Sequence, residues 1–306
     1  MKHIPVLLNE VLEMAFSKED GNPAGTFWDG TFGRGGHSQA LLEKHSSLEV
    51  FGTDRDQAAI DYGQKNFESL LEKGRLTLRH FNFHDFKTLE DFGRGEGFAG
   101  ALFDLGVSSP QLDEPERGFS FYHDGPLDMR MDQTQELSAA TIVNTWSTED
   151  LVQLFREYGE ISRPHRVVQQ IVERRETRPF ETTMDLSYLI ERTFGWRKKG
   201  KHPATNFFLA LRMEVNEELS ELEEALRNIL EKAIQPKGRL MVITFHSSED
   251  RIVKKLFKGS PHLGMNLTKK VIAPERAEIL LNPRSRSAKL RVFQREDLQH
   301  ESTGVE

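Results

Sequence analysis

Asp29-Gly-Thr-Phe-Gly-Arg-Gly-Gly-His-Ser38, DGTFGRGGHS, follows the short β-type run GTFW at 25–28 and leads into the helix-like GHSQALLEKH at 36–45. Its four glycines, at 30, 33, 35 and 36, fall within seven residues. Glycine takes positive φ without strain and lets a ligand approach main-chain N–H groups. A strand, a glycine turn and a helix in this order place such a ligand at the carboxyl edge of a parallel sheet.

The surroundings fit that frame. LEVFGTD (48–54) reads as a second strand, RDQAAIDYGQKNFESLLEKG (55–74) as a helix, RLTLRHF (75–81) as a third strand and FAGALFDLG (98–106) as a fourth. Strand-helix alternation with short connections predicts a doubly wound α/β sheet. From about 111 to 204 the strand signal disappears. Helices are expected at 147–159, 164–176 and 182–195, with Ser147 and Asp185 as N-caps. A long amphipathic helix is expected over 206–233, then strands at 239–247 and 288–295. The resulting domain plan is a discontinuous α/β domain, 1–110 and 205–306, with a helical insertion at 111–204.

The 306 residues include no cysteine, which excludes disulfides, thiolate metal sites and a cysteine nucleophile and fits a cytoplasmic protein. No apolar run is long enough to span a bilayer. The net charge is −7, yet RKKGKH (197–202) and RSRSAKLRVFQR (284–295) are basic stretches able to meet phosphates locally. No metal is expected. The histidines of HFNFHDF (80–86) lack a supporting ligand pattern.

Three ligands compete for the glycine loop. A phosphate-cradling loop needs Gly-Lys-Ser/Thr, which is absent. A dinucleotide loop needs G-x-G-x-x-G, which the spacing does not match. S-adenosylmethionine needs a glycine turn, here Gly33, Gly35 and Gly36, and an acid closing the second strand for its ribose, here Asp54. Phe83 then stands ready to stack on adenine. Asp104, closing the fourth strand, is placed for the adenine amino group or for the reacting centre. A nicotinamide oxidoreductase and a noncatalytic assembly factor on the same fold remain as alternatives.

HIPVLLNEVL (3–12), DGTFGRGGHS (29–38), LFDLGVSSPQLDEPERGFSF (102–121), GPLDMRMD (125–132), HPAT (202–205), FHSSEDR (245–251) and NPRSRSAKLR (282–291) together resemble the bacterial small-subunit ribosomal RNA cytosine-N4 methyltransferases, once called MraW and now RsmH. The resemblance runs from His3 to about Arg295. It implies a class I methyltransferase fold with an inserted helical domain and S-adenosylmethionine as cofactor. It also implies methylation of a decoding-region cytidine at N4, with small-subunit ribosomal RNA in an assembled subunit as the partner. Carried over by motif, the cofactor contacts are Gly35, Gly36, His37, Asp54, Phe83, Asp104 and Gln111. The chain departs from the family pattern after HPAT, where Asn206 and FLA (208–210) stand, and after YGE, where Ile161-Ser162 and RPHR (163–166) follow.

Cytosine N4 is a weak nucleophile that must be positioned and relieved of protons. Methylation at carbon 5 needs a thiolate, which this chain lacks. Amino-methyltransferases place an acceptor turn after the fourth strand. Ser108, Ser109 and Pro110, with Asp104, are the candidates, although Gln111 stands where a second proline would. Arg117, Phe119 and Phe121 suit a splayed base and its phosphate, and such a cluster also forms as core packing. His246 is placed to orient the target, and Arg284 and Arg286 to meet phosphates.

Overall fold

The computed structural model describes residues 4–17, 23–88, 97–195 and 202–297. Most of the basic stretch 197–202 lies outside them. The chain divides into two compact units, Met1–Gly106 with Ser220–Glu306, and Val107–Leu219.

The first unit is a seven-stranded sheet of β1 (Gly25–Asp29), β2 (Leu48–Asp54), β3 (Leu76–His80), β4 (Phe98–Asp104), β5 (Ile234–Thr244), β6 (Gly264–Asn266) and β7 (Lys289–Arg295). The strands lie in the order β3-β2-β1-β4-β5-β7-β6. β1 to β5 pair in parallel, and β7 runs antiparallel to both β5 and β6. The order reverses between β1 and β4, the crevice where open α/β sheets hold ligands. β4 is apolar and buried up to its closing aspartate, as expected of a strand covered on both faces of a parallel sheet. Trp28 is fully buried against Phe51, Phe98 and Phe103, and its indole N–H donates to Thr53 Oγ1 at 2.9 Å.

Four expectations are corrected in this unit. The helix expected over 55–74 breaks at Phe67 into Gln57–Asn66 and Glu68–Glu72. β5 begins at Ile234, ahead of Gly238, passing through Lys237 at φ 66°. His246 lies past the end of β5 and opens the helix Ser247–Gly259. β6 is not expected from the sequence, being three residues long and without a buried residue.

The second unit is helical: Ser109–Asp113, Ala139–Thr145, Thr148–Glu157, His165–Arg175, Thr183–Phe194 and Thr205–Val215. Its core gathers Phe155, Phe180, Leu186, Phe207 and Leu211, all at most 1 % exposed. Ser147 caps its helix through the Asp150 N–H, as expected. Asp185 does not cap. Thr182 does, accepting from the Asp185 N–H at 3.3 Å, and Asp185 sits in the first turn paired with Arg174.

The helix expected over 206–233 is two helices, Thr205–Val215 and Leu222–Lys232. Buried Asn216 stops the first. Its side chain donates to the Met129 and Arg212 carbonyls and accepts from the Met131 N–H, and Glu217 follows at φ 50°. The chain therefore returns to the sheet unit at 220 rather than 205, because Phe207, Phe208 and Leu211 belong to the helical core. Asn206, one of the departures from the family pattern, donates through Nδ2 to the Gly159 carbonyl at 2.7 Å, just ahead of the other.

Candidate functional site

In the sheet unit, β1, β2 and β4 each end in an aspartate: Asp29, Asp54 and Asp104. The glycine loop is tied to both neighbours of β1. On the β4 side, the Gly30 N–H donates to the Leu102 carbonyl at 2.9 Å, and Thr31 Oγ1 accepts from the Asp104 N–H at 2.7 Å. On the β2 side, the Phe32 N–H donates to the Thr53 carbonyl at 2.9 Å, and the Gly33 N–H to Asp54 Oδ2 at 2.8 Å. Gly33 and Gly35 sit in the left-handed region at φ 53° and 70°, which a side chain would strain. A Cβ on Gly35 would also come within 2.5 Å of the Phe32 ring and 2.8 Å of Phe67. Gly36 then begins the helix Gly36–Lys44.

The three carboxylates differ in partners. Asp29 accepts from Ser38 Oγ at 2.6 Å and the Thr31 N–H at 3.4 Å. Burial still pushes it up to about 6. Asp54 takes one backbone N–H on each oxygen, from Gly33 and Asp56, both at 2.8 Å, and burial likewise raises it to about 6. Each oxygen keeps a lone pair for a hydroxyl. Asp104 Oδ1 is buried with no hydrogen-bond partner. Burial, then the charges of Asp29 and Glu249, push it up to about 8. None of the three pairs with a cation among the described residues. Glu249 is itself buried and accepts from the Phe245 and His246 N–H groups at 2.8 and 3.0 Å.

The other expected cofactor residues lie as follows. His37 is buried on the helix after the loop, its Nε2 donating to the Val6 carbonyl at 2.9 Å. Phe83 rests on Phe103 at 4.8 Å between ring centroids, with His84 edge-on at 4.4 Å. Gln111 belongs to the helical unit, where its Oε1 accepts from the Ser108 N–H at 2.9 Å. That bond makes Ser108-Ser109-Pro110 the first turn of the helix Ser109–Asp113.

Two expectations for RNA contact are corrected. Arg117 is buried, its guanidinium donating to the Arg130 and Met131 carbonyls, both at 3.1 Å, so it braces a loop. Phe119 is 6 % exposed within the helical core and offers no face to a base. Phe121 is half-buried, stacked on His202 at 4.6 Å and edge-on to Phe208 at 5.0 Å. His246 caps a helix, Nδ1 accepting from the Ser248 N–H at 3.3 Å. Arg284 and Arg286 are exposed on the 3-10 turn Pro283–Ser287. Among the described residues no group of three His, Asp or Glu is arranged to hold a metal, and no helix is long and apolar enough to cross a membrane.

Sequence reasoning missed Asp29, Thr31 and Glu249 as members of the site. Asp29 carried a usable signal, since it ends its strand as Asp54 and Asp104 do. Thr31 and Glu249 carried none, because their roles depend on strands far away in the chain.

The reversal in strand order, the antiparallel β7 and the glycine turn between β1 and a strand-ending acid define a class I methyltransferase fold. Within that class the chain belongs to the MraW methylase family, whose model matches residues 1–296. It is 50 % identical over 296 residues to a ribosomal RNA small subunit methyltransferase H of Bdellovibrio bacteriovorus, covering 96 % of this chain and 88 % of that one. It is 46 % identical to the Rhizobium etli protein of the same name, covering 100 % and 91 %. A putative rRNA-methylase from Clostridium thermocellum of known structure aligns over 96 % of this chain and 100 % of that one, at 12 % identity and a TM-score of 0.45.

Proposed function

We propose that this chain transfers the methyl group of S-adenosylmethionine to the exocyclic N4 amine of a cytidine in the decoding region of small-subunit ribosomal RNA. Membership of the MraW family and the names of its relatives support the substrate class. One observation carries the cofactor: three buried aspartates without cationic partners converge on the glycine turn. Asp29 and Asp54, at about 6, are mostly ionised at neutral pH, and their charge disfavours the pyrophosphate of a nicotinamide dinucleotide and suits a ligand with no phosphate and a positive charge. The bound cofactor supplies an electrophilic methyl group on sulfur.

The chain's own residues do the rest. Asp54 holds the Gly33 turn and keeps lone pairs for ribose hydroxyls. Gly33 leaves the main chain open beside the cofactor, Gly35 and Gly36 let the turn pack against Phe32, Phe67 and Pro5, and His37 and Phe83 hold the wall of that site. Asp104 Oδ1 accepts an amino N–H. In its ionised form it would accept the proton of N4, while the cofactor, when bound, would supply the methyl group and keep the sulfur as a neutral thioether. Ser108, Ser109 and Pro110, ordered by Gln111, form the acceptor turn. Arg284 and Arg286 meet the RNA backbone.

The test is methyl transfer from labelled S-adenosylmethionine to small ribosomal subunits lacking the modification, with free small-subunit RNA in parallel. The RNA is then digested and its nucleosides identified by mass spectrometry. N4-methylcytidine from the subunit reaction is the expected product. A different methylated nucleoside would refute the N4 assignment. Equal transfer to free RNA would remove the requirement for an assembled subunit.

A further inference from the structure

We propose that Arg156, Arg163, His165 and Arg166 form a phosphate-binding patch on the helical unit that grips the RNA backbone. This rests on the reading of the substrate as RNA and adds to it a contact surface. Arg156 stands in the last turn of the helix Thr148–Glu157. Arg163 precedes the next helix, and His165 and Arg166 are its first residues. All four are exposed. Arg156 Nη2 donates to His165 Nε2 at 3.4 Å, which ties the end of one helix to the start of the next and brings Arg156 beside Arg163 and Arg166 on one surface.

Two features separate this patch from an ordinary solvated surface. The first is the lack of anionic partners. The other arginines of the same stretch are used internally. Arg174 donates to Asp185 at 2.8 Å, Arg178 lies 4.0 Å from Asp185, and Arg175 donates to the Val143 carbonyl at 2.9 Å. Among the described residues Arg156, Arg163, His165 and Arg166 form no ion pair, in a chain of net charge −7. Glu157, next to Arg156 in sequence, accepts from Gln153 Nε2 at 3.1 Å.

The second feature is placement. Basic groups are unfavourable at the positive end of a helix, where acids normally gather. The helix His165–Arg175 has no acid in its first turn and no side-chain cap, yet two basic residues open it. An external anion relieves the conflict of Arg166 with the helix dipole. The three guanidiniums also favour phosphate, because their planar forks bind its oxygens in pairs.

The test compares wild type with the triple variant R156Q/R163Q/R166Q. Binding to unmodified small subunits is measured over a range of salt, with S-adenosylmethionine affinity and methyl transfer measured alongside. Three lost phosphate contacts make the slope of log K against log salt shallower by about 2, taking ~0.7 per contact to single-stranded RNA. Cofactor affinity stays at the wild-type value. K254Q/K258Q, which removes exposed charges from the helix Ser247–Gly259, is the control for bulk charge. A wild-type slope in the triple variant overturns the patch and leaves an acidic protein surface as its partner. An equal slope change in the control also overturns it, by assigning the effect to net charge. A wild-type protein that neither binds nor methylates the subunits defeats the RNA reading itself, and the patch falls with it.

Discussion

Asp104→Asn keeps the shape of the side chain and removes its titration. In the folded chain, burial together with Asp29 and Glu249 holds the carboxyl at about 8. In the unfolded chain it titrates near ~4. Between those values the folded state binds the extra proton. The group therefore stabilises the fold at low pH, and its contribution is lost as pH rises toward the folded value. At ~1.36 kcal/mol per pH unit, flattening near the folded pKa, the loss between pH 6 and pH 8 is roughly 2 kcal/mol. Asp29 and Asp54, raised to about 6, titrate mostly below that window and are present in both proteins. The assay is urea unfolding followed by circular dichroism at pH 6, 7 and 8 and constant ionic strength. The wild type should lose roughly 2 kcal/mol across the series relative to the variant. Parallel curves would show that Asp104 is already ionised at pH 6 and would refute its burial without a partner.

Asp54→Ala should weaken S-adenosylmethionine binding by ~1–3 kcal/mol in calorimetric titration, the cost of unpaired ribose hydroxyls and a freed Gly33 N–H; unchanged affinity removes the ribose assignment. Gly35→Ala should lower stability by ~1–3 kcal/mol, since φ of 70° and the Phe32 ring both oppose a side chain, and a wild-type melting temperature would contradict the turn geometry. Arg117→Met should destabilise the protein by ~1–3 kcal/mol by leaving the Arg130 and Met131 carbonyls unpaired. A variant with full stability but weakened RNA binding would restore Arg117 to the RNA.

The legible parts of this protein were those written in local pattern. β1, β2 and β4 were readable because each is a short apolar run closed by an acid, and the glycine loop because four glycines in seven residues have few structural uses. The long motifs placed the chain in its family. Only the tertiary structure decided the partners. Gly33 meets Asp54, Thr31 meets Asp104, and Glu249, from a helix that follows β5, helps to hold the Asp104 carboxyl above its ordinary range. It turned Arg117 and Phe119 from expected RNA contacts into internal supports. It also cut the long amphipathic helix at Asn216, whose side chain bonds residues more than eighty positions earlier. Periodicity reports which face of a segment is apolar, and in both halves of that helix the signal was correct. Whether a polar side chain ends a helix, fills a core or faces a ligand depends on groups brought to it by folding, and no local window contains them.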